Sequence, residues 1–212
     1  MGSVVSDLHP EPLIFPRGVR LLRIDEFPEG SDEERRRLSQ ANITTGYVLR
    51  DGQSERFSAS FEANVHAPNL WSSFRDLALA ILPDIAAPIL GVKDEEPALG
   101  PYTDRHEALA LFEPYVDRLQ HDGFLEFGIM SQHHGRTEEV FVRSAKYLQI
   151  WTNKPEAVRE VFDRLEIPGR ARLEFIDEYP MVSESVPDEH GNASWPMVVE
   201  RLRLAFDRLP RR

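Results

Sequence analysis

Two segments far apart in the chain are close copies of each other, and this recurrence constrains the fold more than any other feature. Pro16 to Pro28 reads PRGVRLLRIDEFP, and Pro168 to Pro180 reads PGRARLEFIDEYP. The pairs Arg20/Arg172, Leu21/Leu173, Ile24/Ile176, Asp25/Asp177 and Glu26/Glu178 are identical, and Phe27 faces Tyr179. Each copy reads as a strand that stops at an acidic pair followed by proline, which has no amide hydrogen for the next rung of a ladder. A weaker third copy is Val92-Lys93-Asp94-Glu95-Glu96-Pro97. Laying it on the last copy also brings Gly52 onto Gly135, Glu55 onto Glu138, and an expected helix over 69–82 onto one over 153–166.

The segments between these copies supply the rest of the unit. Ser31 followed by Glu34 has the spacing of a capping box and opens a short, charged helix. Ile43 to Arg50 and Glu55 to His66 are expected to be two strands joined by a tight turn at Asp51-Gly52. In the second, Phe57, Ala59, Phe61, Ala63 and Val65 alternate with polar residues, the period of two that buries one face. Leu70, Phe74, Leu77, Ala78 and Ile81 form a helical stripe before Pro83, and Ile85 to Val92 reads as a strand. Asp104 to Gln120 reads as a helix that Pro114 kinks or divides. Strands follow at Phe124 to Ser131 and Glu139 to Trp151, flanking a loop from Gln132 to Glu138, and then a helix after Pro155 and a closing strand from Arg172 to Tyr179.

The expected fold is therefore α+β: an internally duplicated α-β-β-α-β unit with mainly antiparallel sheet, plus an N-terminal strand and a C-terminal helix from Pro196. The expected divisions are 1–100 for the first pseudo-repeat with its N-terminal strand, 101–186 for the second, and 187–212 for a loop and the last helix, all in one compact domain. A cleft between the halves is the natural place for a ligand. The stripe Val198, Leu202, Ala205, Phe206 and Leu209 fits docking on the body or a dimer equally well.

Composition removes several function classes. The chain has no cysteine, which rules out thiolate catalysis, disulfides and cysteine-ligated metal. With 25 Lys+Arg against 36 Asp+Glu, the net charge of -11 repels phosphate backbones and anionic lipid, so neither nucleic acid nor membrane is an expected partner. The same field favours encounter with a basic protein. The start of the chain does not read as a signal peptide, and Pro83, Asp84 and Pro88 interrupt the longest apolar stretch. It falls short of the ~20 residues of a spanning helix. The expected setting is the cytoplasm.

The candidate binding residues are the acidic ends, Asp25, Glu26, Asp94, Glu95, Asp177 and Glu178, together with Arg143, Lys146 and Trp151 on the run EVFVRSAKYLQIWT. Carboxylates brought together by symmetry would raise one another's pKa and could hold a hard cation or act as an acid/base pair. The plainer alternative is ordinary turn chemistry before proline. The run from Glu139 to Thr152 is apolar on both sides, as a central strand is, and Arg143 and Lys146 could anchor an anion on it. His133-His134 gives only two neighbours where a metal needs three or four ligands, so no metal and no cofactor is expected. His106-Glu107 lacks the second histidine of a zincin helix, and phosphate-loop, dinucleotide and nucleophile-elbow patterns are missing. The expected function is non-catalytic binding of a basic protein partner, in the manner of an immunity protein or antitoxin. The alternative is a small-molecule-binding or metal-assisted hydrolytic protein with its site in the cleft between the pseudo-repeats.

Overall fold

The computed structural model describes residues 12–50, 54–188, 190–192 and 194–210. In chain order these form β1 (Val19–Leu21), α1 (Asp32–Ser39), β2 (Gly46–Arg50), β3 (Ala59–Asn64), α2 (Leu70–Ile81), β4 (Ile85–Val92), β5 (Ala98–Leu99) and β6 (Thr103–Asp104). Then come α3 (Arg105–Ala110), α4 (Val116–His121), β7 (Leu125–His133), β8 (Arg136–Val142), β9 (Leu148–Thr152), α5 (Pro155–Arg164), β10 (Met181–Ser183) and α6 (Trp195–Phe206). The fold is α+β and mainly antiparallel, with an N-terminal strand and a C-terminal helix. Among the described residues no helix is long and apolar enough to cross a membrane.

One sheet runs in the order β2-β3-β9-β8-β7-β4-β5, with β6 beside the start of β4. Period-two patterning sends Phe61, Phe127, Ile129, Val140, Val142, Leu148 and Ile150 to one face, where the helices cover them. The stripes of α2 (Leu70, Phe74, Leu77, Ala78, Ile81) and α5 (Val158, Val161, Phe162) are buried there. Phe74 meets Phe127 edge to face at 4.9 Å, and Tyr47 stacks on Phe162 at 4.5 Å, geometries that add to the burial of apolar area. The stripe of α6 docks within the chain, burying Val198, Val199, Leu202 and Phe206 in the same core. Trp195 stacks on Phe124 at its start.

A smaller layer covers one end of the opposite face. There β1 pairs antiparallel with β10, and Val19, Ile43, Leu173, Phe175 and Ile176 pack with Val48 and Tyr147. Arg20 clamps this layer through bonds of 2.7 and 2.8 Å to Glu26 and 3.1 Å to Glu184.

Several elements differ from expectation for local reasons. The copies ending in Asp-Glu-x-Pro are not long strands: Ile24–Glu26 and Ile176–Glu178 are single 3-10 turns, and the strand from Arg172 to Tyr179 does not form. In the first copy the Glu26 carboxylate accepts the Arg23 amide at 2.8 Å, giving the backbone a local partner in place of a neighbouring strand. The run from Glu139 to Thr152 is a hairpin, β8–β9. Its turn is closed by Arg143 N to Tyr147 O at 3.1 Å and Lys146 N to Arg143 O at 2.8 Å, with Lys146 at φ +63. The loop expected over 132–138 is a two-residue turn, because His134 (φ +49) and Gly135 (φ +78) supply the two left-handed residues such a hairpin requires. Between β2 and β3 the register pairs Arg50 with Ser60, so the second strand starts later than expected. The proposed Asp51-Gly52 turn lies outside the described residues. Ser31 makes no side-chain cap bond, whereas Asp104 caps α3 by accepting from the amides of His106 and Glu107. Pro114 divides its helix into α3 and α4, as its missing amide hydrogen demands.

The order helix, strand, strand, helix does not recur: two strands, β2 and β3, separate α1 from α2, whereas three, β7, β8 and β9, separate α4 from α5, and these three lie between β3 and β4 in one continuous sheet. The last elements of the two halves differ as well. After α2, β4 forms a long antiparallel ladder on β7, whereas after α5 the chain touches β2 through a single parallel bridge, Tyr47 to Gly169. Duplication thus rests on the sequence.

Candidate functional site

Among the described residues, no further layer covers the second face of the sheet beyond this small one. Register sets Met130 beside Glu139, Glu139 beside Trp151, and Trp151 beside Ser60, one row across four strands. A second row runs Ile89, Gly128, Phe141, Gln149, Glu62, with exposed Leu99 flanking Ile89. These residues project away from the helices, since side chains alternate along each strand. Ile89, Met130, Glu139, Phe141, Gln149 and Trp151 line a shallow cavity of about 290 Å³ there, with Arg143 and Pro97 at its margin.

Phe141 is buried despite the missing layer because it lies across Gly128. A Cβ on that glycine would come within 2.6 Å of the ring. On the β3 side the polar groups satisfy one another. Glu62 accepts from Gln149 Nε2 at 3.0 Å and from Arg50 Nε at 2.5 Å. Glu139 has no such relief. Its carboxyl makes no hydrogen bond or ion pair among the described residues, and burial pushes its pKa up to about 7. The centre of this open face is thus an unpartnered carboxyl between a thioether and an indole.

Of the residues the sequence singled out, Trp151 and Arg143 lie on this face. Arg143 is half exposed and stands 4.0 Å from the buried Glu126. Lys146 points the other way: it is 3% exposed, and its ammonium donates to the carbonyls of Leu119, at 2.9 Å, and Leu125. Burial pushes its pKa down to about 7. The expected anion anchor is therefore a brace between the β8–β9 turn and the end of α4.

The acidic ends do not converge. Glu26 is held down to about 2 by its bonds to Arg20 and the Arg23 amide, and Asp25 beside it is exposed. Asp177 accepts from the Tyr147 hydroxyl at 3.1 Å, and Glu178 is exposed. Asp94, at φ +65, and Glu95 sit in the turn after β4. His133 and His134 pack edge to face at 3.9 Å on an exposed turn. Among the described residues no three His, Asp or Glu side chains are grouped to hold a metal ion. Sequence reasoning missed Glu139 and Met130 as site residues, because Glu139, following Arg136-Thr137-Glu138 at the start of the apolar run, carries no sign of its burial. Comparison with protein-family models, with curated proteins and with solved structures returned no match.

Proposed function

We propose that this chain is a non-catalytic binding protein whose open sheet face receives a basic segment of a protein partner, as an immunity protein or antitoxin would. The observation that carries this reading is Glu139. A half-buried, unpartnered carboxyl between Met130 and Trp151 is a poor resting arrangement, and a cationic side chain docking over it would restore its charge and give it a donor. Trp151, Phe141 and Met130 supply the aromatic and thioether surface that is enriched in interface centres. The net charge of -11 favours approach of a basic partner and disfavours nucleic acid. The reading places the protein in the cytoplasm, where a cysteine-free chain loses nothing.

The test is affinity capture from the protein's own cells with wild type, Trp151→Ala and Glu139→Gln side by side. The expected result is one basic protein retained by the wild type and weakened at least tenfold with Trp151→Ala, since hot-spot aromatics are typically worth roughly 2 kcal/mol or more. A partner held equally by all three chains would remove this face from consideration. Recovery of no protein partner would count against binding of this kind altogether.

A further inference from the structure

A polar cavity lies elsewhere, on the helix-covered side, where the first turn of α2 meets the segment after α5. It measures about 520 Å³, within the range of roughly 300–1,000 Å³ typical of small-molecule sites. Thr45, His66, Asn69 and Ser73 line it from the first half of the chain, and Glu166 and Arg170 from the second.

Three of the groups around this cavity carry hydrogen-bond donors with no acceptor among the described residues. Ser73 is 1% exposed, and its hydroxyl has no partner among the described residues. The Arg170 guanidinium makes no hydrogen bond or ion pair among the described residues, and its Nε is buried. A third donor follows from the histidine tautomer. The Ile14 amide donates to His66 Nδ1 at 3.1 Å, so the neutral ring carries its proton on Nε2 and donates to Thr45 Oγ1 at 2.9 Å. With its oxygen already accepting, the Thr45 hydroxyl hydrogen has no acceptor among the described residues. Native interiors leave few buried polar groups unpaired, and each one asks for an explanation. Three donors around one cavity have a common explanation in a ligand rich in acceptors. The one acidic lining residue, Glu166, is exposed at the rim and does not occupy that role.

We propose that the cavity between α2 and Arg170 is a binding site for a small oxyanion, the carboxylate or phosphate group of a metabolite, held by the Arg170 guanidinium and the hydroxyls of Ser73 and Thr45. Arg170 supplies the charge and a planar fork that fits either oxyanion. The two hydroxyls fix its orientation. This site is separate from the open sheet face and does not depend on it.

The full-length chain titrated calorimetrically with inorganic phosphate, and separately with succinate, against chloride at matched ionic strength, provides the test. Saturable binding of at least one oxyanion is expected, and which of the two binds tells the phosphate source from the carboxylate source. Arg170→Met should weaken it by roughly tenfold or more, the scale of a charge-assisted bond, and Ser73→Ala by several-fold. Ser73→Ala also has a signature that a structural role would not give: without ligand the variant should melt at or above the wild-type temperature, because an unsatisfied hydroxyl has been removed. Trp151→Ala should bind the oxyanion like the wild type, which keeps this result independent of the sheet face. No saturable response to either anion, equal affinity in Arg170→Met, or a clearly lowered melting temperature for Ser73→Ala would overturn the proposal.

Discussion

At the scale of single residues, Glu139 and Lys146 show how burial changes the meaning of a charge. Both occur on the one apolar run, yet one faces an open surface with no partner and the other is sealed inside with two carbonyl acceptors. For Glu139 the folded pKa lies above its unfolded value, so the native state keeps a proton that the unfolded chain has released between about pH 4.5 and 7. Stability from this group is therefore highest below that window and falls as pH rises through it. Glu139→Gln should match the wild type in urea midpoint near pH 4 and exceed it at pH 8, by on the order of 1 kcal/mol after allowing for partial solvation. Equal midpoints at pH 8 would mean that the carboxyl is not held as described. The same substitution should weaken partner binding, and this opposition of signs is characteristic of a residue strained for function. None of this was legible in the sequence. An acid in an apolar run looks ordinary until its cross-strand neighbours, Met130 and Trp151, are known.

At the scale of elements, the helices were readable because their apolar stripes repeat at helical spacing and proline marks their limits. Both α2 and α5 fall within the expected ranges. The β8–β9 hairpin was not readable, because its turn contains no glycine, proline or asparagine and its left-handed position is filled by Lys146. The repeated Ile-Asp-Glu segments misled for a different reason. They share a local 3-10 turn, and a pattern that specifies a turn was read as the end of a strand. Two glycines of the hairpin β7–β8 separate local conformation from packing. Gly135 has open space around it but a φ of +78, so Gly135→Ala should cost about 1 kcal/mol through backbone conformation alone. Gly128 is the place where Phe141 lies down, and an added Cβ would meet the ring at 2.6 Å and the Val140 carbonyl at 2.8 Å. Gly128→Ala should cost about 1–3 kcal/mol as an overpacking change, and should also alter the open face by displacing Phe141. Denaturant midpoints for the two variants would give the ranking, and a smaller loss for Gly128→Ala than for Gly135→Ala would contradict it.

At the scale of the whole molecule, the charge balance and the uncovered face belong to the same reading. A field from a net charge of -11 acts mainly on encounter, not on the lifetime of a complex. Association with the proposed basic partner should therefore slow steeply as salt rises towards physiological strength, where the Debye length is about 8 Å, while dissociation changes little. Stopped-flow mixing across a salt series would show this, and a salt-independent association rate would remove electrostatics from the recognition. The sequence showed the charge but could not show the cavity beside Arg170, whose walls come from segments far apart in the chain and are joined only by the fold. The pairing of β1 with β10 has a further consequence, for synthesis. The first strand finds its partner only after Ser183 has left the ribosome, so the small layer on the second face is among the last parts to form. Until then the end of the sheet that this layer covers, with Val48 and Tyr147, stays uncovered on the emerging chain.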